Sequence, residues 1–111
     1  QMDAAIVCWN TKYFYFNPRP TQIMPDIKTL TGIPNFPSYI SGHSTFSESA
    51  STILGHILPA NAVKYESLSA EAAKSRFIAG IHTQMDCDSG MVAGRRVGSY
   101  AVLRAQKDGA E

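Results

Sequence analysis

The sequence predicts an all-α protein built as a helical bundle. Apolar residues recur at helical spacing in successive segments, no alternating strand pattern competes with them, and prolines and glycines separate them. The chain has 111 residues, enough for one domain with a modest core. We therefore expect a single domain over residues 1–111.

The first helix is predicted over residues 3–16. Asp3 favours its N-terminus, and Asn17-Pro18 ends it because proline cannot continue the helical hydrogen bonds. Its apolar side chains recur near helical spacing but do not fit one narrow stripe: Ile6, Val7, Trp9, Tyr13, Phe14 and Phe16. We therefore expect this helix to pack against protein on more than one side.

A connector over residues 21–35 follows, with one short helical turn predicted over residues 26–30. The second long helix is predicted over residues 45–58, with Ser41 or Ser44 as its N-cap. Its predicted core stripe is apolar: Phe46, Ala50, Ile53, Leu54 and Ile57. The residues predicted on its other side are polar: Ser44, Ser47, Glu48 and Ser51.

The third long helix is predicted to start at Ser69, after a turn over residues 59–66. Its predicted core face is formed by apolar residues: Phe77, Ile78 and Ile81. Because Gly80 weakens a helix, we expect this one to end or distort there if Arg76 and His82 serve one site.

The last helix is predicted over residues 89–107, capped by Asp86 or Asp88. Small residues recur on one of its faces: Gly90, Gly94 and Gly98. Such a face lets another helix approach closely. We expect this face and the helix that carries Trp9 to pack against protein outside this stretch, most simply a second copy of the chain.

Composition and charge exclude several classes of protein. The formal net charge is +1, so no global field attracts nucleic acid or an anionic membrane. No apolar run approaches the roughly 20 residues that span a bilayer, so no transmembrane segment is predicted. Cys8 and Cys87 are too few and too far apart for a metal motif, and we expect buried or partly buried thiols.

A loop that ends where a helix begins carries the first functional signal. It places Ser41, Gly42 and His43 at the N-terminus of the second long helix. Unpaired N–H groups at a helix N-terminus attract anions, and glycine lets the backbone approach a ligand. By itself, however, this motif is more often an ordinary capped helix with a surface histidine.

Cations and a second histidine complete the candidate set: Lys12, Arg19, Ser41, Gly42, His43, Arg76, His82 and Asp86. Arginine offers planar bidentate donors and lysine a point charge, so together they would hold an anion with several oxygens. One imidazole would attack phosphorus while the other protonates the leaving oxygen. Asp86, four residues after His82, would hold that histidine in the required tautomer.

These residues resemble the three-part signature of the phosphatidic acid phosphatase and vanadium haloperoxidase superfamily. The first part lies in residues 12–20, the second in residues 37–43 and the third in residues 75–86, in the family's order and internal spacing. The stretches around the second and third parts are most similar to the soluble bacterial branch related to haloperoxidases. The resemblance implies an all-helical bundle, and this chain aligns with its later part.

The resemblance implies a role for each matching residue in anion binding. The oxygens of phosphate or vanadate would be bound by a group of cations and by the start of a helix: Lys12, Arg19, Arg76, Ser41 and the Gly42 amide.

The resemblance also assigns the chemistry. His43 would be the general acid and base, and His82 would be the phosphorylated nucleophile or the vanadium ligand. Asp86 would orient His82. Ser75 belongs to the signature without an assigned chemistry, and His56 matches nothing in it and is expected to be a helix-surface histidine.

Two departures from the family pattern matter. The family usually has proline directly before Ser-Gly-His where this chain has Ile40, which makes the loop less rigid, although Pro37 remains. The helices that precede the first part in the family have no counterpart, since Lys12 lies near the start of the sequence. We therefore expect a partial catalytic domain that pairs with a second copy as a homo-oligomer or with a missing N-terminal half.

The leading interpretation is a metal-independent, acid-phosphatase-like hydrolase that cleaves phosphoesters or diphosphates through a phosphohistidine and needs no cofactor. Its substrate would be a phosphate-ester small molecule or a lipid headgroup. The alternative is a haloperoxidase that uses vanadate as its cofactor at the same oxyanion site, and a second alternative is a non-catalytic helical fragment. The resemblance alone favours an exported or periplasmic location.

Overall fold

A computed structural model describes residues 1–109, and its regular structure is entirely helical. The helices are α1 (Met2–Tyr15), α2 (Pro20–Ile23), α3 (Gly42–Ile57), α4 (Ala62–Ile78) and α5 (Gln84–Asp108), with a 3-10 turn over Pro59–Asn61. The all-α prediction is confirmed; residues 110 and 111, which the predicted domain includes, lie outside the described residues. Among the described helices, none has the length and apolar character needed to cross a membrane.

The centre of the fold is α3, which packs along both α4 and α5. Its contact with α5 depends on glycines. A Cβ atom on Gly94 would overlap the carbonyl oxygen of Thr45, and a Cβ atom on Gly90 would stand 2.8 Å from the carbonyl oxygen of Ser41. The glycine face of α5 therefore packs inside the chain, and the expectation that it contacts a second copy is wrong.

The buried face of α3 is the face that was predicted to point away from the core. Its buried residues are mostly small and polar: Ser44, Thr45, Glu48 and Ser49. In the predicted apolar stripe, by contrast, Ile57 is 62% exposed. Small side chains let the backbones of α3 and α5 approach each other, and this close packing decides the orientation of α3.

Glu48 is a carboxylate buried between three helices, and its charge is paired. It accepts a hydrogen bond of 2.7 Å from Ser69 on α4 and one of 2.8 Å from Nε of Arg95 on α5. These bonds satisfy both carboxylate oxygens, as burial of a charge requires.

The helical turn in the connector and the start of α4 lie six and seven residues before their predicted positions. A helical turn forms at Pro20–Ile23 rather than over residues 26–30, because Pro20 presets the backbone angle of the first helical residue. The helix predicted to start at Ser69 instead starts at Ala62, since the turn at Pro59 leads directly into good helix formers.

The ends of α4 and α5 bring the third motif together. α4 ends at Ile78, as predicted, and Gly80 has a φ of 75°, which favours glycine. α5 begins at Gln84 with Thr83 as its N-cap, so Asp86 is the third residue of a capping box and not the cap itself. Of the predicted core face of α4, Ile81 is buried, whereas Phe77 and Ile78 are about half exposed.

The outward surface of α1 is strongly apolar. The helix buries Ala4, Cys8 and Lys12, whereas Phe14 is 81% exposed and Ile6 is 54% exposed. The described residues span 52 × 28 × 18 Å. A thickness of 18 Å accommodates no more than two layers of helices, each about 10 Å in diameter.

Candidate active site

The second and third motifs line one cleft of about 450 Å³, and Arg19 of the first motif contacts His82 in its wall. α1 contributes Trp9, the loop before α3 contributes Phe36, and the first turn of α3 contributes Gly42 and His43; Arg76 on α4 and His82 before α5 complete the polar lining. A larger cleft of about 700 Å³ lies against Arg19 and Phe36 but is not lined by either histidine, so we place the candidate chemistry in the smaller one.

Lys12 is 1% exposed and lies beside Phe36, which lines this cleft. Its Nζ donates hydrogen bonds to the carbonyl oxygens of Pro37 at 2.9 Å and Ser38 at 3.0 Å. An ammonium group carries three protons, so one remains for a ligand. Burial lowers the pKa of Lys12 to about 8.

Arg19 is buried in the rigid segment between Pro18 and Pro20. Its Nε donates to the carbonyl oxygen of Phe36 at 3.0 Å, and its Nη1 donates to that of Ile81 at 2.9 Å. Its other terminal nitrogen, Nη2, is buried without a hydrogen-bond partner. A buried donor without an acceptor costs free energy, so an anion oxygen at this position would stabilise the site.

Phe36 supports both cations. The centre of its ring lies 5.2 Å from Nζ of Lys12 and 5.0 Å from Cζ of Arg19. Both distances are within the range of cation–π attraction, which favours the charged forms of the two side chains. The ring also contacts Trp9 edge-on, with 4.8 Å between the ring centres.

His82 is 5% exposed, and its two nitrogens have different partners. Nε2 lies 3.1 Å from Nη1 of Arg19, which can only donate, so Nε2 is the acceptor and the proton resides on Nδ1. Nδ1 lies 3.3 Å from Oδ2 of Asp86. Burial lowers the pKa of His82 below its ordinary value of 6.5, so the imidazole is neutral at neutral pH, and its electron pair on Nε2 accepts from Arg19.

Asp86 is a buried carboxylate held by several donors. Its Oδ2 accepts hydrogen bonds from Oγ of Ser38 at 2.6 Å and from the backbone N–H of Thr83 at 2.8 Å, besides facing His82. Burial alone would raise the pKa of Asp86, but the hydrogen bonds from His82, Ser38 and Thr83 lower it below its ordinary value. The group is therefore an anion at neutral pH.

His43 is an exposed histidine in the first turn of α3, on the wall of the cleft. Partial burial and the positive charge of Arg76 lower its pKa below 6.5. Arg76 is itself positioned by its neighbour: its Nε donates to Oγ of Ser75 at 3.0 Å, and that hydroxyl donates to the carbonyl oxygen of Ala72 at 2.7 Å. Ser75, to which the sequence assigned no chemistry, thus orients Arg76.

Ser41 has a different position from the other predicted anion ligands. It is fully buried, caps α3 by accepting a hydrogen bond from the backbone N–H of Ser44 at 3.3 Å, and does not line the cleft. Gly42, which follows it, does line the cleft. His56 is exposed in the last turn of α3, as expected.

Sequence reasoning missed Ser38, which contacts Asp86 directly. It lies within the second motif, but nothing in the sequence distinguishes it from the other serines of the chain. Cys8 and Cys87 are buried free thiols, in agreement with the prediction. Within residues 1–109, no cluster of histidine, cysteine and carboxylate side chains is arranged to hold a metal ion.

Comparisons with known proteins point to one family. The sequence matches the family model of the PAP2 superfamily over residues 3–109. Among solved structures, the chain is similar to one described as the first bacterial vanadium-dependent iodoperoxidase, with a TM-score of 0.83 and 28% sequence identity. The match covers 91% of this chain but 30% of that one. No curated protein sequence matches the chain.

Proposed function

Because the chain belongs to the PAP2 superfamily, we propose that its cleft binds a tetrahedral oxyanion and hydrolyses phosphoesters or diphosphates without a metal ion. One observation carries this proposal. Arg19 places Nη1 at 3.1 Å from Nε2 of His82, while its Nη2 is buried without a partner. An anion oxygen beside His82 would pair with that nitrogen through a charge-assisted hydrogen bond.

The substrate's phosphoryl oxygens would be held by donors from several elements: Lys12, Arg19, Arg76 and the backbone N–H of Gly42. These fixed positive groups would neutralise the charge that develops on the oxygens in the transition state. Ser41, whose side chain caps α3, would act through the position of Gly42 rather than by direct contact. The substrate would be a phosphate-ester small molecule or a lipid headgroup.

The reaction would proceed in two steps. Nε2 of His82 would attack phosphorus, and an N–P bond would form as the P–O bond to the leaving group breaks, while His43 gives its proton to the leaving oxygen. His43 would then take a proton from water, whose oxygen attacks phosphorus as the N–P bond breaks, which releases phosphate and restores His82. Asp86 would stabilise the positive charge of the His82 ring in both steps.

A second candidate is a vanadate-dependent haloperoxidase, favoured by the likeness to the bacterial vanadium-dependent iodoperoxidase at 28% identity. The donor set fits vanadate as it fits phosphate, because the unpaired Nη2 of Arg19 suits any tetrahedral oxyanion. The residues that would hold it are the same: Lys12, Arg19, Gly42, Arg76 and Nε2 of His82. When bound, vanadate would supply a Lewis-acidic centre that activates hydrogen peroxide towards halide oxidation.

Two assays on the purified protein test the proposal: phosphate release from an aryl phosphate, and iodide oxidation with peroxide after addition of vanadate. We expect His82→Ala to abolish whichever activity is found, because it removes the attacking or coordinating nitrogen. His56→Gln is the matched control, since this exposed histidine lies at the far end of α3, and its activity should equal that of the wild type. Absence of both activities in a folded protein would support the non-catalytic alternative instead.

A further inference from the structure

Ser38, in the loop between α2 and α3, uses all of its polar groups in the candidate site. It is 1% exposed. Its N–H donates to the carbonyl oxygen of Asn17 at 3.0 Å, and its own carbonyl oxygen accepts from Nζ of Lys12 at 3.0 Å. Its Oγ donates to Oδ2 of Asp86 at 2.6 Å. One residue therefore connects a cation of the oxyanion site to the carboxylate behind His82.

The bond from Ser38 holds Asp86 more closely than His82 does. The distance from Nδ1 of His82 to Oδ2 of Asp86 is 3.3 Å, longer than the roughly 2.7 to 2.9 Å of a strong charge-assisted hydrogen bond. Oγ of Ser38 lies 3.4 Å from the same Nδ1. The Nδ1 proton thus faces two oxygens, the carboxylate and the hydroxyl, and the hydroxyl is itself fixed by its bond to the carboxylate.

This arrangement supports the His82 tautomer that Arg19 also favours. With its own proton committed to Asp86, the hydroxyl of Ser38 presents only an electron pair towards Nδ1. Both neighbours of Nδ1 therefore accept, which favours a proton on Nδ1 and leaves Nε2 unprotonated beside Arg19. Without the hydroxyl, one of the two acceptors would be lost and the carboxylate would be held by one donor fewer.

We propose that Ser38 is a positioning residue, which fixes Asp86 and the Nδ1–H tautomer of His82 so that Nε2 faces the oxyanion. This role rests on the proposed function, since it affects a reaction only if Nε2 attacks or coordinates the anion. Ser38 does not contact the reacting atoms, and it acts through Asp86 and His82.

The test compares Ser38→Ala with Ser38→Cys, which has a similar shape but a weak donor. Ser49→Ala is the matched control, because Ser49 is also a fully buried serine but its hydroxyl has no hydrogen-bond partner and lies in the α3–α5 contact. The readouts are kcat and KM in whichever assay shows activity, and the tautomer of His82 from the ¹⁵N shifts of its ring at neutral pH.

We expect Ser38→Ala to lower kcat by about 10- to 100-fold, with KM little changed. This loss corresponds to the usual contribution of a hydrogen bond to a charged group. In Ser38→Ala, His82 should contain a larger fraction of the Nε2–H tautomer than in the wild type, because only Arg19 and Asp86 would then favour Nδ1–H. Ser38→Cys should be intermediate in both readouts, and Ser49→Ala should equal the wild type. If Ser38→Ala does not fold, the comparison rests on Ser38→Cys.

A pure Nδ1–H tautomer and an unchanged kcat in the Ser38 variants would overturn the proposal. So would an equal loss of activity in Ser49→Ala, because the effect would then come from general loosening of the interior. Absence of both activities in the wild type would instead refute the proposed function. The tautomer comparison needs no catalysis, and it would still decide whether Ser38 positions His82.

Discussion

Binding of inorganic phosphate should weaken as the pH rises through about 8, because Lys12 loses its proton there. A neutral amine has two protons, and the carbonyl oxygens of Pro37 and Ser38 already accept two hydrogen bonds from Nζ. Only the charged ammonium therefore has a third proton and a positive charge for an anion. The experiment varies the pH and compares the wild type with Lys12→Met, which lacks the titrating group.

The magnitude follows from the pKa. If only the charged form binds, the apparent Kd increases by the factor 1 + 10^(pH − 8), which is about 11-fold one pH unit above the pKa of about 8. Such a change corresponds to about 1.4 kcal/mol of binding free energy. Of the other titrating groups near the site, the two histidines have pKa values lowered below 6.5, and the two cysteines have pKa values raised above 9.0.

The same pKa predicts a change in stability without phosphate. The unfolded chain keeps the Lys12 proton up to the ordinary value of 10.5, whereas the folded protein loses it at about 8. The unfolded state binds more protons between these values, so the free energy of unfolding increases with pH there. The full difference, 10.5 less about 8, corresponds to at most about 3 kcal/mol. Bound phosphate should reduce this increase, because it favours the charged ammonium.

Isothermal titration calorimetry with phosphate, from neutral pH to about pH 10, measures the binding effect across the window set by the Lys12 pKa. Phosphate is an anion throughout this range, but it loses its second proton near neutral pH, and the comparison with Lys12→Met separates that change from the titration of Lys12. Lys12→Met should bind weakly without this pH dependence, while Lys64→Met, which changes an exposed lysine on α4, should keep the wild-type profile. A wild-type Kd that stays constant through this window would refute the argument.

Two further predictions concern packing and catalysis. Gly94→Ala should destabilise the fold in urea by about 1 to 3 kcal/mol or more, because its Cβ would overlap the carbonyl oxygen of Thr45. Gly32→Ala, where no atom lies within 4 Å of the new Cβ, should change stability little, and equal losses in the two variants would contradict the packing argument. If His43 is the general acid, kcat/KM for an aryl phosphate should fall as the pH rises through its pKa, which lies below 6.5. An activity that increases with pH above that value would exclude this role.

The sequence predicted the long helices but not their buried faces. Periodicity identifies the stripe that carries Phe46 and Ile57, and apolar burial is the usual guide to orientation. Here the opposite face of α3 is buried, because Ser49 and Thr45 allow contact with the glycines of α5. Whether small polar residues form an interface depends on a complementary face elsewhere in the chain, and local periodicity does not contain that information.

The grouping of the candidate residues was predicted better than the packing, because these residues have distinctive chemistry and fixed spacing. The structure brings His43, Arg76 and His82 to one cleft, with Lys12 and Arg19 bonded to the loop that forms its wall. The acceptors that hold these two cations could not be predicted. They are backbone carbonyl groups, which every residue has, and only the path of the folded loop places them.

The path of this loop explains how the buried cations Lys12 and Arg19 are held in place. Consecutive carbonyl oxygens of Phe36, Pro37 and Ser38 accept hydrogen bonds from Arg19 and Lys12, so neither side chain must reorganise to bind an anion. These neutral acceptors do not cancel the charge. Burial lowers the pKa of Lys12, and Nη2 of Arg19 is buried without an acceptor. A single oxyanion would relieve both, because it supplies the missing negative charge and the missing acceptor at once, whereas a neutral ligand would supply no charge. If the cleft binds an oxyanion as proposed, we expect the protein's stability to increase with the concentration of phosphate or vanadate.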